Sequence, residues 1–141
     1  MSIPLPSSAY VPGKTPRPDE GVFDHIRDTA KAGMSADALA RSDAFRHGLA
    51  YLEAGFFWEA HEVLEPVWMA LPEGADRRFV QGVIQLANAL LKERMERPKA
   101  ALRLAGMSRD LIGDAGPSMG CDRDTFVEKI DALADRLSGV C

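Results

Sequence analysis

The chain has 141 residues, enough for one domain with a substantial core. Its net charge of −4 and pI near 5.4 argue against nucleic acid as the main partner, since phosphate binding needs a basic footprint. No apolar run approaches the roughly 18 residues of a spanning helix, no secretory leader is visible, and Cys121 and Cys141 stand without CxxC spacing, so a cytoplasmic protein with no membrane partner and two thiols of no assigned role is expected.

Five of the nine prolines (Pro4, Pro6, Pro12, Pro16, Pro18) precede residue 19. Residues 1–18 are therefore predicted to be an extended arm and residues 19–141 a single helical domain. "EGVFDHIRDTAKAG" reads as a short helix and "SADALARS" as a weaker one. Ser42 is an N-cap for "DAFRHGLAYLEAG", with Gly55 as its stop. "FFWEAHEVLEPVWMA" follows as a second long helix, which Pro66 is expected to kink or end by removing the donor to the Glu62 carbonyl. Asp76 is a cap for "RRFVQGVIQLANALLKERM", Pro98 opens "PKAALRLAGMSRDLIG", and "GDAGPSMGC" is a loop before "DRDTFVEKIDALADRLSG".

No strand pattern occurs, so the fold class is all-α. "FRHGLAYLEAG" and "FVQGVIQLANA" align at an offset of 34, placing Gly48 on Gly82. Two such hairpins are similar to tetratricopeptide repeats and predict a compact bundle of stacked antiparallel hairpins.

Ala60, Val63, Leu64 and Val67 share one side of the "FWEAHEVLEPVW" helix, while Trp58, His61, Glu62, Glu65, Trp68 and Met69 share the other. The next long helix is apolar around most of its circumference, save a stripe of Gln81, Gln85, Asn88 and Lys92. An antiparallel hairpin centred near Glu73 makes paired positions sum to about 146, which sets Glu65 beside Gln81, His61 beside Gln85 and Trp58 beside Asn88. A solvated face, a structural network and a ligand site all produce such stripes.

"WEAHEVLEPVW" followed by "FVQGVIQLANALLK" resembles domain-of-unknown-function family 309, over about Ser42 to Leu104. The family pattern falls on Trp58, Glu59, His61, Glu62, Leu64, Glu65, Trp68, Gln81 and Gln85. The resemblance implies a small helical protein of the kind labelled a predicted metal-dependent hydrolase. Many relatives carry His where this chain has Lys92, a cation in place of a neutral ligand.

The spacing of "HEVLE" sets His61 and Glu65 one turn apart, as two ligands on one ion require, with Glu62 as a third ligand or a general base. Such an oxygen-rich set suits Mn, Fe or Mg better than structural Zn. Lys92 is the competing counter-charge. Two functions stay open. One is a pocket between these helices, lined by Trp58, Trp68, Gln81, Gln85, Asn88 and Lys92, that binds a metal or small polar ligand, with His61 and Glu62 as candidate catalytic groups. The other is a repeat-like interaction module that associates through Phe56, Phe57, Trp58 and Trp68, with a peptide or a second copy of itself as partner.

Overall fold

The computed structural model describes residues 3–113 and 116–138, so Cys141 lies outside it. The described residues form seven α-helices and no strand: α1 (Asp24–Arg27), α2 (Ala36–Ala40), α3 (Asp43–Ala54), α4 (Phe57–Ala70), α5 (Ala75–Arg94), α6 (Pro98–Ile112) and α7 (Arg123–Ser138). Each long helix packs on the next, and α1 lies across both α3 and α4. No helix is long and apolar enough to cross a membrane among the described residues.

Local chemistry sets most boundaries. The Ser42 hydroxyl accepts from the Phe45 amide at 3.2 Å, and Gly55 ends α3 in the left-handed region at φ 92°. Pro98 sits in the first turn of α6, where its missing N–H costs nothing. Two expectations fail. The helix in residues 20–33 shrinks to the four residues of α1, and Asp76 lies inside α5 rather than capping it. Gly74 holds the cap position, and the Asp76 carboxylate instead accepts from the Ser118 hydroxyl at 2.6 Å.

Pro66 neither ends α4 nor leaves a free carbonyl. The helix runs on to Ala70, and Arg27 Nη1 donates to the Glu62 carbonyl that a residue-66 amide would otherwise serve. A donor from another helix thus closes the gap in the backbone ladder.

The α4–α5 pair is antiparallel. Arg94 donates to the Gly55 carbonyl just before α4, His61 meets Asn88 mid-helix, and Arg77 donates to the Trp68 carbonyl near the turn. The core lies among α3, α4, α5 and α6, with Phe45, Leu64, Phe79 and Ile112 at or below 2% exposure. Two glycines permit the closest approaches. A Cβ on Gly48 of α3 would lie 2.4 Å from Leu64 of α4, and one on Gly82 of α5 would lie 2.6 Å from Ile112 of α6. Ser108 of α6 also donates to the Gly82 carbonyl at 2.6 Å.

Gly48→Ala and Gly82→Ala are therefore expected to cost about 1–3 kcal/mol each, by the overpacking of a dense core. Gly106, on α6, has nothing within 4 Å of where its Cβ would be. Gly106→Ala should instead stabilise by about 0.5–1 kcal/mol through helix propensity. Urea melts of the three variants check the opposite signs.

Candidate functional site

The polar side of α4 meets two elements. Towards α5, Asn88 Nδ2 donates to Gln85 Oε1 at 3.3 Å, which leaves Asn88 Oδ1 to accept from His61 Nδ1 at 2.8 Å. His61 Nε2 lies 3.3 Å from Glu65 Oε2. Towards α1, Arg27 Nη1 is 3.5 Å from Glu62 Oε2, and Nη2 is 3.6 Å from Glu65 Oε1. One guanidinium thus bridges two carboxylates and a backbone carbonyl. The array is half open to water, with 31% of His61, 35% of Glu62, 40% of Glu65 and 27% of Arg27 exposed in their side chains.

This arrangement corrects the expected register. His61 pairs with Asn88 rather than with Gln85, close to one helical turn along α5. Trp58 faces away from α5, towards the N-terminal segment: its ring lies 5.0 Å from that of Tyr10, edge to face, and 6.3 Å from that of Phe23. The Arg17 guanidinium sits 5.7 Å above it. Gln81 is half-buried on α5, a turn before Gln85. Trp68 is packed under the Arg77 guanidinium at 4.7 Å, near the hairpin turn. Lys92 makes no ion pair among the described residues; the counter-charge to Glu62 and Glu65 is Arg27.

The residues present do not suit a divalent ion. No three His, Cys, Asp or Glu side chains converge closely enough to hold one among the described residues. His61 is engaged at both ring nitrogens, and the carboxylates already share a cation. A ligand set of His61, Glu62 and Glu65 would have to break these contacts.

The cavity that these helices help to form is elsewhere. It has a volume of about 240 Å³ and lies between α4 and the segment 17–24. Trp58 and Glu62 line it with Arg27, Arg17 and Phe23, and Asp19, Glu20 and Asp24 complete the wall. His61, Glu65, Gln81, Gln85 and Asn88 do not line it. Four carboxylates face two guanidiniums there, so the lining carries excess negative charge.

Next to Trp58 on α4, Glu59 has no exposed surface. One oxygen accepts from the Tyr10 amide at 2.8 Å, and the other has no hydrogen-bond partner. Burial raises its pKa above the ordinary 4.5, against the opposing pull of the Tyr10 hydrogen bond and the Arg94 charge. The signal was in the sequence, because Glu59 falls four residues before Val63 on the apolar stripe of α4. Arg27 carried no such signal, being 35 residues from Glu62 on a single helical turn.

Residues 45–104 match the family model described as a domain of unknown function, DUF309, and this segment belongs to that family. It takes in all of α4 and α5 but neither Arg27 nor α7. No curated protein and no solved structure is significantly similar to the chain.

Arg27→Met should cost about 2–3 kcal/mol, because it strands the Glu62 carbonyl and leaves two carboxylates together. Glu62→Gln and Glu65→Gln should each cost less than about 1 kcal/mol, since these ion pairs are partly solvated. Urea melts at pH 7 give the ranking, and an Arg27→Met variant as stable as the parent would contradict it. Glu59 also predicts a pH dependence. Above pH 4.5 the folded chain holds this proton longer than the unfolded chain, so stability falls as pH rises towards the raised value. The part of that slope due to Glu59 should disappear in Glu59→Gln, as melts across pH 4–7 would reveal.

Proposed function

We propose that this protein binds a small cationic polar ligand, an organic amine or guanidine, seated between Trp58 of the DUF309 segment and the segment 17–24 that precedes it. The observation that carries this reading is the cavity lining. It combines an indole face with four carboxylates against two guanidiniums, one of which, Arg17, already lies over that indole at 5.7 Å. A cation over a tryptophan face gains about 0.5–2 kcal/mol, and surrounding carboxylates add attraction and faster capture. Arg17 marks the place such a ligand would take. Arg27 keeps Glu62 turned towards the cavity wall, and the His61–Asn88–Gln85 chain holds α4 in register with α5.

The same contacts weigh against metal-dependent hydrolysis, which needs a converging ligand set and a free base. They also weigh against an interaction module built on an aromatic groove. Phe56 packs with Tyr51, Phe57 under Arg94, Trp58 with Tyr10 and Trp68 under Arg77, so each ring has an intramolecular partner. As for architecture, Gly48 and Gly82 stand at equivalent places in α3–α4 and α5–α6, each at the close contact of its hairpin. That equivalence supports a tetratricopeptide-like pair of hairpins, with residues 3–18 as an arm laid over α4 through Tyr10.

Titration of a Trp68→Phe variant with choline and with agmatine, followed by tryptophan-selective fluorescence, tests the proposal, Trp58 then being the lone tryptophan. A saturable change at micromolar to millimolar probe is expected, weakened about tenfold in Asp24→Asn and by added salt. No change with either probe, or an equal change in Asp24→Asn, would overturn it. Mn, Fe, Mg and Zn in excess should leave the melting temperature unchanged, whereas a resident metal at a hundred times its Kd would add about 2.7 kcal/mol.

A further inference from the structure

We infer that a second site, the open cleft bounded by the end of α3, the end of α5 and α7, binds a small organic anion: a carboxylate carried on an apolar body. The cleft has a volume of about 440 Å³, in the range of small-molecule sites. Leu52 and Leu90 (4% and 9% exposed) and Phe57 make its floor. Arg94, Lys129 and Arg136 stand around it with one carboxylate, Glu53, a net positive lining in a chain whose net charge is −4.

These cations are not equivalent. Lys129 is paired with Glu53 at 2.8 Å, and Arg136 holds Glu93 through two hydrogen bonds of 2.9 Å. Arg94 has no carboxylate ion pair among the described residues, and the carboxylate acting on it through space is the buried Glu59. It is nevertheless fixed in place. It donates through Nη1 to the Gly55 carbonyl and lies over the Phe57 ring, with Cζ 4.3 Å from the centroid.

Position 55 is shaped for that guanidinium. Beyond the left-handed backbone that ends α3, a Cβ at Gly55 would come within 2.7 Å of Arg94 Nη2. A side chain there would push Arg94 out of its slot. The result is an exposed guanidinium fork, held through Nη1 and without a carboxylate ion pair among the described residues, beside an apolar floor, with two further cations on the rim that are each paired with a carboxylate. A guanidinium fork pairs bidentately with a carboxylate or a phosphate, and one fixed in advance loses little rotamer entropy on binding. The apolar floor selects an anion with a hydrocarbon body over a bare inorganic one. This site uses none of the groups around Trp58, so the two readings stand or fall separately.

An amide chemical-shift titration of the full chain with octanoate, octylamine and inorganic phosphate tests the inference. Octanoate should give saturable shifts at Ala54, Gly55, Phe57 and Ala132. Octylamine should give none there, and phosphate should bind at least about tenfold more weakly than octanoate. Arg94→Met should weaken octanoate about tenfold or more. Because Arg94 also supports the Gly55 carbonyl, Arg136→Glu, at a half-exposed position, is a second variant and should weaken octanoate about tenfold in a chain with unchanged far-ultraviolet circular dichroism. Equal shifts with octanoate and octylamine would reduce the cleft to an apolar dent. Unchanged octanoate affinity in Arg136→Glu, or no saturable shift in the parent, would leave these cations as helix-end caps only.

Discussion

The site rests on one guanidinium. Pro66 takes a donor out of the middle of α4, and a buried or half-buried carbonyl without a partner costs about 1–3 kcal/mol. Arg27 supplies that donor from α1 and, from the same planar group, meets both Glu62 and Glu65. Three consequences follow from this contact. The helix passes through proline without ending, two like charges three residues apart become tolerable, and a helix of four residues gains a fixed position on the bundle. The segment 17–24, which leads into that short helix, then forms the far wall of the cavity beside Trp58. A cation already in place is also what any metal ion would have to displace from these carboxylates.

The long helices were legible because their signals are local. Ser42, Gly55 and Pro98 mark ends by hydrogen-bonding chemistry that operates within a few residues. The α4–α5 pairing was legible too, because two amphipathic stripes must face one another somewhere. Its register was not. The His61–Asn88 contact centres the hairpin between residues 74 and 75, slightly later than an estimate made from the turn residues near Glu73. That small displacement carries His61 past Gln85 to the next polar residue on the stripe.

The groups that eluded the sequence act over long separations. Arg27 sits 35 residues from Glu62, on a helix too short for any periodicity, so Lys92 stood as the competing counter-charge. Tyr10 reaches Glu59 across 49 residues from a proline-rich stretch with no pattern to read. Glu59 itself was masked by company: among four charged or titratable residues in one short run, the buried one looks like the others. Its position on the Val63–Val67 stripe separates it, and its unpaired oxygen marks a cost that the fold carries at this face. Burial and counter-charge, rather than residue type, thus divide the acidic residues of α4 into distinct roles.

A double-mutant cycle between Arg27→Met and Pro66→Ala tests the central claim most directly, that Arg27 stands in for the hydrogen bond lost at Pro66. Restoring the amide at position 66 gives the Glu62 carbonyl a donor within its own helix. The loss of stability caused by Arg27→Met should then be smaller by about 1 kcal/mol in the Pro66→Ala background than in the parent, as read from urea melts. Strictly additive effects would contradict the claim, and would reduce Arg27 to a partner of the two carboxylates alone.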